Sequence, residues 1–370
     1  MLSRYGSGLP SLATIDRQVL SAIFSLTSGS PSHSLSTPLL FRLGGKSPSG
    51  HRQPNRDVSH DGRNAGILRM VPEVFWVVRR LFAIAFLTLA GLVPATGSAQ
   101  TDVLSRAPSR FADLDGVRIH YKSLHTGRTA VVFVHGWACD LTVWRIQMAP
   151  LDERVRVLAL DLPGHGRSDK PVRPYSMEFY ARAVNAVMAA AGVDRAILVG
   201  HSMGTPIVRQ FYRLFPAKTI ALLLVDGSLK PPGLDSAAIE RQVKQFSGPG
   251  LAQVWEQMIP PLLPGADLEP VRRQLIRTAQ STPEAVVTGS IRGMMDPKIW
   301  TADTIRVPVL AVMARGPNWP PAYHAYVRGL VPDLRYEELD GVHHFLMLER
   351  PDLFNPLMVS FLKDQGLLEH

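Results

Sequence analysis

Hydrophobic residues in this chain gather in short, almost wholly apolar runs, separated by polar loops and by stretches with apolar positions three and four residues apart. The runs 117–122, 130–134, 155–160, 196–199, 221–225, 307–313 and 334–338 predict strands. Several lack the polar alternation of a half-exposed strand, which predicts strands covered on both faces. Between them, Met177, Tyr180, Val184, Val187 and Ala191 share one face of a helix that Ser176 can cap. Ile207, Val208, Phe211, Tyr212 and Phe215 fall at helical spacing in a second helix, and residues 351–361 suit a closing one. Strand, loop and helix in alternation predict an α/β domain: a mostly parallel sheet with helices on its faces.

Two segments depart from this rhythm. Residues 230–304 keep helical periodicity without strands and carry repeated prolines such as Pro260-Pro261, which predicts a helical insertion placed after a strand. Residues 1–69 are rich in Ser, Gly, Pro and Arg and sustain no period, so they read as disordered or as untranslated sequence upstream of a start at Met70. From Met70 the pattern becomes that of a secretory signal over residues 70–99. Arg79-Arg80 precedes an apolar run, 81–93, and the small residues up to Ala99 form a cleavage region. The expectation is therefore an exported protein, periplasmic or secreted, with no stable membrane insertion after signal removal. An uncleaved N-terminal anchor is the alternative, although the apolar run is short for a bilayer span. Arg79-Arg80-Leu81-Phe82 partly matches the twin-arginine export pattern, and Sec and Tat routes both stay open.

Composition narrows the function. With 370 residues, 46% of them hydrophobic, the chain can bury a large core without metal or disulfide staples. A single cysteine, Cys139, excludes an intramolecular disulfide and a Cys-rich zinc site. The net charge of +9 is concentrated upstream: residues 1–99 hold ten Lys/Arg against four Asp/Glu, leaving 30 against 27 for the remainder. The globular part is nearly balanced, so no basic face for nucleic acid is expected. No nucleotide fingerprint or metal-ligand spacing appears, and no cofactor is expected. The sequence is silent on oligomeric state.

The candidate chemistry centres on Gly200-His201-Ser202-Met203-Gly204, which stands between the apolar run 196–199 and the helical pattern from Ile207. Such a strand-to-helix corner holds a serine in strained geometry with its hydroxyl exposed, and glycines two residues either side let strand and helix approach. A serine hydroxyl needs a base, and His343 and His344 stand after the last predicted strand.

Four motifs in order resemble the α/β-hydrolase family over roughly residues 110–362: His135-Gly136-Trp137, the segment from Asp161 to Asp169, the Gly200–Gly204 corner, and Gly341-Val342-His343-His344-Phe345. The resemblance implies a mostly parallel eight-stranded sheet, a core formed by residues 100–229 and 305–370, and a helical cap over residues 230–304. It also implies a serine hydrolase that cleaves a carboxylic ester or related small-molecule acyl substrate through an acyl-enzyme. Ser202 would be the nucleophile and His344, directly before Phe345, the base, with His343 as the alternative. The backbone N–H groups of Trp137 and Met203 would form the oxyanion hole. His135 would brace the oxyanion loop, residues 161–169 would be structural, and Cys139 would pack near the mouth of the site.

The acid departs from the family pattern. Many members carry it in a Gly-x-x-Asp segment after the strand at 307–313, where this chain has Arg315-Gly316-Pro317-Asn318. Asp226, one strand earlier, is the expected acid, with Asp303, Asp333 and Asp340 as less well-placed alternatives. Serine at the corner argues against epoxide hydrolase or haloalkane dehalogenase chemistry, whose family members carry aspartate there. A carbon–carbon bond hydrolase, a lactonase, an aminopeptidase and a haloperoxidase-like enzyme share these motifs, as does a ligand-binding protein that keeps the fold without turnover.

Overall fold

The computed structural model describes residues 103–368 apart from 153, 231 and 232. The expectations for residues 1–99, the upstream extension and the signal, lie outside the described residues. Eight strands form one sheet in the order β1-β2-β4-β3-β5-β6-β7-β8. They are β1 Ser109–Leu114, β2 Val117–Leu124, β3 Thr129–Val134, β4 Val157–Leu160, β5 Arg195–His201, β6 Thr219–Val225, β7 Val309–Ala314 and β8 Leu334–Leu339. Only β2 runs against its neighbours, and the six strands β3 to β8 pair in parallel. The expected mostly parallel sheet is therefore present.

Seven strands coincide with the apolar runs, and β1 does not. Its side chains are mostly exposed at the sheet edge, with only Ala112 buried, so neither an apolar run nor a clean alternation marks it. Backbone pairing with β2 along its whole length holds it in place instead. In the middle of the sheet, residues 130–134 and 196–199 are fully buried, as strands covered on both faces require.

Helices of ten residues or more are labelled α1 to α8: α1 Met177–Ala191, α2 Gly204–Leu214, α3 Ser236–Gln245, α4 Leu251–Leu262, α5 Glu269–Gln280, α6 Glu284–Met295, α7 Pro321–Leu330 and α8 Pro351–Asp364. Ser176 caps α1 as the sequence predicts: its Oγ accepts the Phe179 N–H at 3.1 Å, and Gly192 in the left-handed conformation ends the helix. Helices α3 to α6 fill the interval between β6 and β7 without a strand. None of the described helices is long and apolar enough to cross a membrane.

The order of the parallel strands reverses direction around β3. From β3 the chain proceeds to β4 on one side, then returns to place β5 on the other. A crevice opens at the carboxyl ends of strands at such a point, and loops from β3 and β5 meet there.

Candidate active site

Ser202 sits where β5 gives way to α2, with a φ of 54° that a residue bearing a side chain rarely adopts. Space explains the flanking glycines. A Cβ on Gly200 would stand 2.5 Å from the Gly204 carbonyl oxygen, and one on Gly204 would stand 2.5 Å from the Val134 carbonyl oxygen on β3. The backbone N–H of Ser202 donates to the Val225 carbonyl at 3.0 Å, which ties the corner to the end of β6.

Asp226 immediately follows β6, also at positive φ, 42°. Its Oδ2 lies 2.7 Å from Nδ1 of His344, and both side chains are buried. Its Oδ1 accepts two further hydrogen bonds, from the Ala314 N–H at 2.9 Å and from the indole Nε1–H of Trp319 at 2.7 Å. The carboxylate is thus fixed on both oxygens, and with Nδ1–H donating to Asp226 the Nε2 of His344 is left as the basic nitrogen. Trp319 is a contributor that sequence reasoning missed. It lies 93 positions from Asp226, and no local pattern announces such a contact.

The other candidates lie elsewhere. His343 is 47% exposed at its side chain, and both its backbone N–H and Nδ1 are engaged by the Glu349 carboxylate. Asn318 does not line the cavity that holds Ser202 and His344. Asp303 binds Arg209 and Arg213; burial pushes its carboxyl up, but the Arg213 hydrogen bond and the charges of Arg213 and Arg209 outweigh that and take it down to about 2. Asp333 precedes the amino end of β8, whereas Ser202 follows the carboxyl end of β5, and Asp340 pairs with Arg315.

Facing Ser202 is the loop after β3. His135 is completely buried: its Nδ1 donates to the Gly136 carbonyl at 2.7 Å, and its Nε2 accepts the Leu162 N–H at 3.0 Å. Burial also holds its pKa below the usual histidine value, so it stays neutral in that single tautomer and braces the loop. Asp161 anchors the neighbouring segment, accepting from His120 Nδ1 and from the backbone N–H groups of Leu141 and Arg167. Trp137 and Met203 both line the cavity, and neither backbone N–H has a protein acceptor among the described residues. The Trp137 indole donates to the Val287 carbonyl on α6 at 3.0 Å, fastening this loop to the helical segment.

His201, beside the serine, is buried. Its Nε2 donates to the His344 backbone carbonyl at 2.9 Å. Burial, reinforced by the charge of His344, holds its pKa well below the usual value, so His201 is a neutral strut under the histidine loop. Cys139 also lines the cavity, but burial and the charge of Asp140 hold its thiol well above its usual pKa, which makes it a poor nucleophile.

Ser202, His344 and Asp226 open onto one cavity of about 930 Å³ including its mouth. Its far wall comes from the segment between β6 and β7, with Trp255, Met258, Ile259, Leu262 and Met294 among its members. The ionisable side chains among the lining residues are Asp226, His344, the buried neutral His201 and Cys139, so the space suits an uncharged, largely apolar molecule.

Comparison with known proteins agrees with this architecture. A family model described as alpha/beta hydrolase fold matches residues 129–268. The dihydrolipoyllysine-residue acetyltransferase component of the acetoin cleaving system of Cupriavidus necator is 29% identical over 282 residues, covering 73% of this chain and 72% of that protein. Among solved structures, an N-acyl homoserine lactone degrading enzyme is similar with a TM-score of 0.56 and 26% identity, over 68% of this chain and all of that one. The enol-lactonase of Burkholderia xenovorans LB400 superposes with a TM-score of 0.61 at 22% identity, over 69% of this chain and all of that one, a likeness of fold.

Proposed function

We propose, from the premise that this chain is a member of the α/β-hydrolase fold family, that it is a serine hydrolase of uncharged carboxylic esters, working through an acyl-enzyme under a cap formed by residues 230–304. The observation that carries this reading is the convergence of Ser202, on its strained corner, with a His344 whose Nδ1 is held 2.7 Å from Asp226 Oδ2. Ser202 Oγ attacks the acyl carbonyl while His344 Nε2 takes the hydroxyl proton. The negative charge that develops on the carbonyl oxygen is met by the N–H groups of Trp137 and Met203, the latter at the start of α2 where the helix dipole favours an anion. Collapse of the tetrahedral intermediate breaks the ester C–O bond, and the imidazolium returns its proton to the leaving alcohol. Water then attacks the acyl-serine, His344 again taking and returning the proton, to release the acid and restore Ser202.

A lactone is an intramolecular ester and passes through the same steps. The lactone-degrading relative at 26% identity favours it as a second substrate form.

Reaction with a serine-directed fluorophosphonate tests the reading. Rapid phosphonylation located at Ser202 by peptide mass spectrometry is expected, slowed by orders of magnitude in His344→Ala and little changed in His343→Ala. Fast labelling of His344→Ala with slow labelling of His343→Ala would transfer the base to His343. Absence of labelling in the unmodified protein would leave a binding protein with an idle serine.

We further propose that the mature protein is exported and begins near Gln100, because Arg79-Arg80, the apolar run 81–93 and the small residues to Ala99 make up a complete signal. Deleting residues 1–69 is expected to change neither export nor activity. Mass spectrometry of the native N-terminus checks this; peptides from residues 1–69, or a membrane-bound chain that retains 81–93, would overturn it.

A further inference from the structure

Asp226 holds its place against backbone strain. Its φ of 42° lies in the left-handed region, where a residue with a side chain is uncommon and persists only when its surroundings over-determine it. Its N–H donates to the Val312 carbonyl on β7 at 3.0 Å, and the next residue is pressed against α2: a Cβ on Gly227 would stand 2.1 Å from Thr205 Oγ1. Leu229, at the entry to the helical segment, donates its N–H to the Tyr323 hydroxyl at 3.0 Å, and that hydroxyl donates to the Gly227 carbonyl at 3.3 Å. Trp319 packs on this anchor and reaches the acid. Its ring centroid lies 4.8 Å from that of Tyr323, both side chains are buried, and its Nε1–H donates to Asp226 Oδ1 at 2.7 Å.

The other donor to Oδ1 is the Ala314 N–H, at 2.9 Å. One N–H···O bond tolerates a broad range of directions about the oxygen, so a single donor leaves the carboxylate free to turn about its Cβ–Cγ bond and carry Oδ2 away from His344. Two donors converging on Oδ1 remove that freedom. They differ in origin: Ala314 is the last residue of β7 and is fixed by the sheet, whereas Trp319 belongs to the loop leading into α7. Trp137 and Trp300, which also line the cavity, give their indole N–H groups to backbone carbonyls of α6, those of Val287 and Met294. Trp319 gives its own to the side chain of the proposed acid.

We infer that Trp319 is a positioning residue of the reaction: its indole N–H, with the ring seated on Tyr323, fixes the plane of the Asp226 carboxylate so that Oδ2 meets the His344 Nδ1–H. This rests on the serine hydrolase reading and adds to it a side chain that acts on the acid rather than on the substrate. The alignment matters most when His344 becomes imidazolium, so its loss falls on kcat rather than on KM.

The test is a double-mutant cycle on the full chain, combining Trp319→Phe with Asp226→Asn and reading kcat and KM for a p-nitrophenyl ester. Trp319→Phe is expected to lower kcat about tenfold to a hundredfold, the size of one hydrogen bond to a charged group, with KM changed by a small factor. In the Asp226→Asn background the same replacement is expected to leave kcat unchanged or to raise it. There the indole helps hold the amide oxygen away from His344, so its removal frees the amide to turn that oxygen toward the Nδ1–H and restore the reactive tautomer. A role in packing or in lining the cavity would move both backgrounds by the same factor. Trp319→benzothienylalanine, which exchanges the indole N–H for sulfur and keeps the ring, is the second variant and serves where Trp319→Phe fails to fold; it should reproduce the loss in kcat. Equal factors in the two backgrounds, or an unchanged kcat in Trp319→benzothienylalanine, would overturn the inference while leaving the hydrolase reading in place. No turnover by the unmodified protein, together with no phosphonylation of Ser202, would remove the hydrolase reading and this inference with it.

Discussion

Ser202→Ala is expected to lower kcat by on the order of a million-fold, the loss seen when the nucleophile is removed from a serine–histidine–aspartate array. Fold and thermal stability should persist. The substitution removes one oxygen from a half-buried corner, keeps the Cβ and the positive φ, and leaves the backbone bond to Val225 untouched. Steady-state hydrolysis of a p-nitrophenyl ester, read beside circular dichroism and a melting curve, separates the two quantities. Near-normal hydrolysis by a folded Ser202→Ala protein would end the reading in which Ser202 is the nucleophile; the other hydroxyl lining the cavity, that of Ser228, donates to the Lys230 carbonyl at 3.1 Å. Cys139 is the obvious substitute, and burial with the adjacent charge of Asp140 holds its thiol protonated.

The interior of the sheet was legible because strands covered on both faces must be nearly continuous in apolar residues, and β3, β5, β6 and β7 are. The edge was less so. Phe111 on β1 is 41% exposed, with the guanidinium groups of Arg118 and Arg167 over its ring, so even its large apolar side chain carries no core signal. Backbone pairing rather than burial defines that strand. The corner at Ser202 could be read from five residues because its geometry is local: the close approaches that demand Gly200 and Gly204 involve the immediate helix and the adjacent strand.

Contacts that span the chain were not legible. Position 318, in the loop where the family pattern looks for an acid, drew attention in the sequence, yet the neighbouring Trp319 is the residue that reaches Asp226. Helix α4 contains Pro260 and Pro261 in its last turn, where breakers obscure a boundary that packing of Trp255, Met258 and Ile259 maintains. Likewise, His343 and His344 differ in sequence only by order. In space the first meets Glu349 near the surface, and the second turns inward over His201, whose indifference to protonation keeps a second positive charge away from the imidazolium.

Asp226→Asn is expected to cost roughly ten-thousand-fold in kcat, by comparison with the same substitution in a triad built on an unrelated fold. The cause is specific. With a carboxylate at 226, both oxygens only accept: Oδ2 takes the His344 Nδ1–H, and Oδ1 takes the N–H groups of Ala314 and Trp319. An amide must keep its oxygen toward the two donors on the Oδ1 side, which places its NH2 against His344 Nδ1. The imidazole is then driven to the tautomer with its proton on Nε2, so the nitrogen that should accept the Ser202 proton is already occupied, and the imidazolium loses its counter-charge. Asn318→Ala, outside the cavity, should change kcat by a small factor only. Measured side by side, a large loss in Asp226→Asn with an unchanged melting temperature supports the assignment of the acid. An Asp226→Asn protein at normal speed would reject it, and a large loss confined to Asn318→Ala would move the orienting role to the loop after β7.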